Sequence, residues 1–271
     1  MTFSHPIDTS EFMPKRSEEP QSTTQIRYNS DGTARPAVYY YRADYMQEFL
    51  WRTQELTGKV DLVVLDPPYE DWGKWLANPA FWAYIFKACS PQANIICFSK
   101  QPFSQDVWRS MPDIRWRLVW TFTNGGAWVS RRLPLVSFQD ITVYTPFAGR
   151  AIFNERTGGA YADGTKAMKR KTKKWEGYHK EGRQFTPSEE GTWLRDVIQV
   201  NKPARASIGA KPIALMELLL KAYSNAGSLV LDPFAGRATT LLAAARLGRG
   251  AIGFEVDQKV YDIGCKYLSE K

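Results

Sequence analysis

With 271 residues, 44% of them hydrophobic and 14% aromatic, the chain has enough apolar side chains for one well-buried domain, folding away about 70–75% of its unfolded surface. No apolar run approaches the ~18 residues that cross a bilayer, and the polar opening from Met1 to Pro20 has no apolar core of a signal peptide, so a cytoplasmic protein with no membrane partner is expected. A formal net charge of +8 points to a polyanionic partner, nucleic acid above all. Cys89, Cys97 and Cys265 show no Cys-x-x-Cys spacing, and only His5 and His179 could join them, so they read as buried thiols and no metal is expected.

Residues 1–34 are rich in Ser, Thr, Glu, Pro and Gln and read as a flexible arm. Ala37 to Tyr41 has strand composition, and Met46, Phe49 and Leu50 mark a helical patch after Asp44. The run Val60–Leu65 reads as a buried strand, stopped by Asp66-Pro67-Pro68-Tyr69 because proline cannot donate to the ladder. A helix face follows at Phe81, Tyr84, Ile85 and Ala88, ended by Ser90-Pro91. Asn94 to Phe98 is the next strand, and Gln105 to Trp108 begins another helix. Strands are expected over Arg115–Thr123 and Asp140–Tyr144, separated by Asn124-Gly125-Gly126 and a loop carrying Arg131 and Arg132.

From 148 to 206 the composition turns to Gly, Lys, Arg, Thr and Ser, which reads as an inserted surface module. Lys211-Pro212 opens a helix with an apolar stripe at Ile213, Met216, Leu219, Leu220 and Tyr223. Leu229 to Leu231 is a strand running into Asp232-Pro233-Phe234-Ala235-Gly236-Arg237-Ala238-Thr239-Thr240. A helix over Leu241–Leu247, a strand over Ala251–Phe254 and a last helix carrying Val260, Tyr261, Ile263 and Leu268 close the chain. Strands alternating with helices predict an α/β fold, a doubly wound and mostly parallel sheet covered on both faces.

Two turns carry chemistry. The strand, tight turn and helix around Asp232–Thr240 suit a nucleotide-like ligand lying against a helix amino terminus, and Glu255, at the end of the next strand, is placed to hold ribose hydroxyls. That pattern alone fits a dinucleotide enzyme and an S-adenosylmethionine enzyme equally. Gly248-Arg249-Gly250-Ala251-Ile252-Gly253 matches the letters of the dinucleotide fingerprint, but it follows a helix and enters a strand, the reverse of the required order. Gly248 reads instead as a helix cap.

The first turn separates the two cofactors. An exocyclic amine of adenine or cytosine shares its lone pair with the ring and is a poor nucleophile. The Asp66 carboxylate and the Pro67 carbonyl can each accept one of its N–H bonds, which favours a tetrahedral nitrogen with an available lone pair. Tyr69 can stack on a base extruded from the duplex. The bland alternative is an ordinary strand-ending turn with a half-buried tyrosine. No Pro-Cys dipeptide occurs, so covalent methylation of a ring carbon lacks its nucleophile.

On these residues the chain resembles the amino-methylating DNA methyltransferases of the permuted β arrangement, in which the catalytic motif precedes the target-recognition region and the cofactor motif comes last. The resemblance runs over about residues 36 to 268 and rests on Asp66-Pro67-Pro68-Tyr69, Lys211-Pro212, Asp232-Pro233-Phe234-Ala235-Gly236, and Leu247-Gly248-Arg249 with Ile252-Gly253, Glu255 and Tyr261. Ser137-Phe138-Gln139-Asp140-Ile141 stands where a His-Glu pair is common.

It implies a Rossmann-like methyltransferase domain over 35–271 with the target-recognition region inserted at 148–206, and S-adenosyl-L-methionine as cofactor. Asp66, Pro67, Pro68 and Tyr69 would be catalytic. Asp232, Pro233, Phe234, Ala235, Gly236, Arg237, Thr239 and Thr240 would line the cofactor together with Asp66. Asp44 would stand near its adenine, Glu255 on its ribose and Lys211 on its methionine carboxylate. An opening aspartate favours adenine N6 over cytosine N4. The family loop usually reads Gly-Ser-Gly-Thr-Thr, so Arg237 and Ala238 are departures, and alanine adds a Cβ where backbone and ligand approach.

Double-stranded DNA with its target base flipped out is the implied partner. Lys169, Arg170, Lys171, Lys173 and Lys174 with Trp175 and Tyr178, joined by Arg131 and Arg132, are the expected DNA contacts, against the alternative of a solvated charge run. A homodimer and a cognate restriction endonuclease are compatible with the resemblance. The rival readings are an N4-cytosine or RNA-base enzyme and a catalytically silent nucleic-acid-binding homologue.

Overall fold

The computed structural model describes residues 23–26, 37–43, 55–68, 78–110, 114–123, 136–147, 151–155, 193–202 and 210–269. The strands are β1 (Thr23–Ile26), β2 (Val38–Arg42), β3 (Val60–Leu65), β4 (Cys89–Ser99), β5 (Ile114–Thr121), β6 (Phe138–Tyr144), β7 (Val197–Gln199), β8 (Leu229–Asp232) and β9 (Gly250–Glu255). The helices are α1 (Pro79–Ala88), α2 (Ser104–Ser110), α3 (Ile213–Tyr223), α4 (Thr239–Arg246) and α5 (Gln258–Ser269).

The strands form one sheet in the order β1-β2-β9-β8-β3-β4-β6-β5-β7. From β2 through β9, β8 and β3 to β4 the pairing is parallel, as the alternation of strands and helices predicts. β6 then runs antiparallel to both β4 and β5, and β7 returns parallel to β5. On one face, Leu62 and Val64 of β3 pack with Leu219 of α3, Leu242 of α4 and Leu268 of α5. On the other, Val63 and Leu65 pack with Phe81 and Ile85 of α1 and Val107 of α2. Burial on both faces explains why β3 is continuously apolar rather than alternating.

The topology positions the site. From β3 the chain passes through α1 to β4, on one side of β3, whereas from β8 it passes through α4 to β9, on the opposite side. The winding direction therefore reverses between the neighbours β3 and β8. The crevice beyond their carboxyl ends is the topological switch point, where open α/β sheets bind ligands.

Several expectations are corrected. Thr23–Ile26, within the stretch read as a flexible arm, forms β1, paired antiparallel with β2, whose outer edge would otherwise be unpaired. β7 lies within the interval read as an insert yet is the far edge of the main sheet. Asn154, from the same interval, donates its side-chain amide to the carbonyls of Lys221 and Ser224 at the end of α3. Ser90-Pro91 does not separate α1 from a strand: β4 begins at Cys89. Between the pairs Val60↔Cys89 and Leu62↔Asn94 it bulges, accommodating the proline that cannot donate. On α5 the buried residues are Tyr261, Gly264 and Leu268, and Ile263 is exposed. Pro212 is not the first helical residue but the N-cap of α3, just outside it. The Met46–Leu50 patch lies outside the described residues.

Two internal anchors were not anticipated. The buried Arg249 donates to the Ser224 hydroxyl (2.8 Å), the Ser224 carbonyl (2.7 Å) and the Leu247 carbonyl (2.8 Å). It thereby satisfies carbonyls beyond the ends of α3 and α4, where a cation also suits both helix dipoles. Burial holds its guanidinium below the usual arginine range. Asp140, fully buried on β6, accepts from the Ser104 hydroxyl at 2.6 Å and from Arg117 Nε at 2.9 Å, tying α2 and β5 to β6.

Candidate functional site

Asp66 follows the last residue of β3, partly buried at the switch point, with Pro67 buried and Pro68 exposed behind it. The prolines end the ladder and fix the turn, so the carboxylate is held on a rigid backbone. The Lys211 ammonium forms an ion pair with Asp66 Oδ2. That lysine stands two residues before α3 and lies over the Phe98 ring of β4, 4.8 Å from its centroid. Burial pushes the Cys97 thiol well up, and the nearby Asp66 carboxylate adds to it.

On the neighbouring strand, Asp232 is buried at the end of β8 and accepts from the Phe234 amide at 3.0 Å. Burial pushes its carboxyl up to about 7. Hydrogen bonds from the Thr240 hydroxyl and the Phe234 amide pull it down, and Asp66 and Glu255 push it up further. The turn continues through Pro233, Phe234, Ala235, Gly236 and Arg237 to Ala238, which precedes Thr239.

Three contacts fix this turn. The Ala235 amide donates to the Phe254 carbonyl at 2.9 Å, the Tyr40 hydroxyl donates to the Gly236 carbonyl, and Phe234 packs toward Phe81 with ring centroids 6.4 Å apart. Gly236 and Ala238 both have positive φ, +53° and +62°. β9 can lie this close because Gly253 has no side chain: a Cβ there would come within 2.6 Å of Leu241 Cδ1 and 2.8 Å of the Ala235 Cβ.

Glu255 ends β9 and accepts from the Asp257 amide at 2.8 Å. Burial raises its carboxyl above the usual range, opposed by hydrogen bonds from the backbone of Asp257, Val256 and Gly236. The Ala43 amide donates to the Glu255 carbonyl at 3.0 Å, so the residue before Asp44 reaches the same edge. The fold thus brings Asp66, Asp232, Glu255, Thr240 and Lys211 to one crevice. Asp44, Tyr69, Arg131, Arg132 and the stretch Lys169, Arg170, Lys171, Lys173, Lys174, Trp175 and Tyr178 lie outside the described residues.

The edge is divided by charge. Three carboxylates stand at the ends of β3, β8 and β9, whereas Lys100, just past β4, and Lys202, just past β7, stand on the other side of Asp66. Lys202 lies over Phe122, 3.8 Å from the ring centroid. Its ammonium is held below the usual lysine range by burial, then by the nearby Lys211 and Lys100. Neither Lys100 nor Lys202 carries a motif, and their proximity comes from the antiparallel return of β6 and the edge strand β7, so sequence reading missed both. Tyr40 was missed for a similar reason. It is one of three successive tyrosines, and only the fold shows which one reaches Gly236.

An acidic crevice of hydroxyl-accepting carboxylates beside a glycine-bearing turn suits a cationic nucleoside, and an acceptor on the adjacent turn suits an amine. The sequence matches the family described as DNA methylase, of N6/N4 type, over residues 75–266. The chain belongs to this DNA methylase family.

Among curated relatives, the Type II methyltransferase M.HindIII of Haemophilus influenzae is 44% identical over 61 residues, 22% of this chain and 20% of M.HindIII. The match spans only that fifth of M.HindIII. The DNA adenine methyltransferase YhdJ of Escherichia coli is 27% identical over 233 residues, 77% of this chain and 76% of YhdJ. Two solved structures share the fold. The M1.HpyAVI-SAM complex superposes with a TM-score of 0.61 at 21% identity, over 84% of this chain and 98% of that one. The cytosine-N4-specific PvuII DNA methyltransferase does so at 0.56 and 13%, over 88% and 94%. Membership of the DNA methylase family agrees with the Rossmann-like sheet and its switch-point crevice.

Proposed function

We propose that this DNA methylase transfers the methyl group of S-adenosyl-L-methionine to the N6 amine of adenine in double-stranded DNA. The observation that carries the reading is the juxtaposition of Asp66 with the Asp232 turn and Glu255 on adjoining strand ends. The donor set fits the cofactor: Glu255 offers acceptor oxygens for a ribose diol, and three nearby carboxylates favour a positively charged sulfur compound. When bound, S-adenosylmethionine supplies an electrophilic methyl carbon.

The work of the chain is to prepare the amine. Asp66 accepts one N–H and the Pro67 carbonyl the other, drawing the nitrogen toward tetrahedral geometry. Tyr69 stacks on the flipped base. Phosphates near the crevice meet Lys100 and Lys202, and the basic residues Lys169–Lys174 with Arg131 and Arg132 add further phosphate contacts. Asp44 and Lys211 complete the cofactor set at its adenine and carboxylate ends.

Adenine is preferred on two grounds: an aspartate opens the catalytic motif, and YhdJ, a relative matched over most of its length, is named an adenine methyltransferase. Cytosine N4 is the second reading, favoured by the fold shared with the N4-specific PvuII enzyme. Mass spectrometry of nucleosides from DNA treated with the protein and S-adenosylmethionine decides between them. N6-methyladenine is expected, and N4-methylcytosine alone would replace the adenine assignment. Asp66→Ala should lower turnover by at least about a hundredfold to a thousandfold while DNA binding, read by mobility shift, is retained. Activity near that of the unaltered protein in this variant would overturn the role of Asp66.

A further inference from the structure

Lys211 is paired with the very carboxylate that must accept the target amine. Its side chain is 9% exposed and that of Asp66 21%, so the pair is largely shielded from water. The Phe98 ring under the ammonium gives it a second resting contact. The lysine also stands two residues before α3, whose N-cap is Pro212 and whose first turn takes no side-chain cap, so the positive end of that helix is near it. An anion arriving there would be attracted by both.

We propose that Lys211 is a transferable counter-ion: it neutralises Asp66 in the cofactor-free protein and moves to the cofactor carboxylate on binding, releasing Asp66 to accept the amine. The inference rests on the cofactor reading above. Its physical reason is competition between cations. A sulfonium and the Lys211 ammonium cannot both sit cheaply against Asp66, whereas the cofactor brings its own carboxylate as an alternative partner for the lysine. Cofactor binding is therefore linked to exposure of Asp66, and the cofactor enters before the target base. Lys211 is a positioning residue in this account, and Asp66 the group that touches the substrate.

The test needs no DNA. S-adenosylhomocysteine keeps the carboxylate but has no charge on sulfur, so its affinity reports on Lys211 without direct attraction between Asp66 and a sulfonium. In Asp66→Asn the lysine is released in advance, and calorimetry should show S-adenosylhomocysteine binding on the order of tenfold more tightly than to the unaltered protein. The gain should vanish when Asp66→Asn is made in a Lys211→Met background. It should also be absent for methylthioadenosine, which lacks the amino-acid end.

Equal or weaker binding by Asp66→Asn, or a gain that persists without Lys211, overturns the proposal while leaving the cofactor reading intact. No heat from the unaltered protein at millimolar ligand would remove the cofactor reading and the proposal together. Asp66→Ser, measured alongside, gives a second neutral side chain if the amide variant does not fold.

Discussion

At the scale of single residues, Asp232 is a carboxylate buried at the end of β8. Its carboxyl is pushed up to about 7 by burial, while in the unfolded chain it has the ordinary value of 3.8. Between those values the folded protein binds more protons than the unfolded chain, so this residue makes stability fall as pH rises, with the loss complete above about pH 7. The full difference amounts to roughly 4 kcal/mol. Urea denaturation at pH 5 and pH 8 should show the unaltered protein losing about 2 kcal/mol or more relative to Asp232→Asn. A parallel pH dependence in the two proteins would remove Asp232 as the source. Both Asp66 and Asp232 were legible in the sequence, because each ends an apolar run and is followed by a turn-forming proline. The ion pair from Lys211 to Asp66 was not, since nothing local to Lys211-Pro212 tells which strand end the helix will meet.

At the scale of elements, the start of α4 carries a local strain. Ala238 is its N-cap, fully buried, with φ +62° and ψ +25°, and its side chain provides no cap. A non-glycine residue in the left-handed region is disfavoured by roughly 1–2 kcal/mol. Ala238→Gly should therefore stabilise the protein by about 0.5–1 kcal/mol despite the greater freedom glycine adds to the unfolded chain, seen as a rise in Tm of a few degrees by calorimetry. An unchanged or lower Tm would show that the alanine methyl contributes packing that outweighs the strain. The sequence already marked this position as a departure from the family loop, on the ground of ligand approach. The backbone conformation supplies a second ground. Element types were readable because β3 and β4 carry continuous apolar runs and α3 an apolar stripe at helical spacing, whereas β1 and β7 were hidden. Both are short edge strands whose pairing comes from an exposed ladder on a distant neighbour, a cause that local composition does not carry.

At the scale of the whole molecule, the strand-end edge is divided into an acidic part and a basic part, and under the proposed function the cofactor takes the first and the DNA the second. Lys100 and Lys202 should then contribute to affinity through counterion release. Lys202→Ala and Lys100→Ala are each expected to reduce the slope of log binding constant against log salt by about 1, without changing which base is methylated. Fluorescence anisotropy over a salt series checks this, and unchanged slopes in both variants would place the phosphates elsewhere. The parallel half of the sheet was foreseeable from the alternation of strands with helices. The antiparallel return through β6 was not, because β6 inserts between β4 and β5, and local composition does not tell which neighbours a strand will take.

The adjacency of β3 and β8 has a further consequence for how the chain is made. These neighbours are separated by the greater part of the sequence. On a ribosome, β3 emerges early, yet its inner edge has no partner until β8 has been synthesised. Pairing so distant in sequence is slow to form, and the waiting apolar strand is open to association with other nascent chains. The arrangement that places the Asp66 carboxylate and the Asp232 turn side by side thus leaves the centre of the sheet incomplete until late in synthesis.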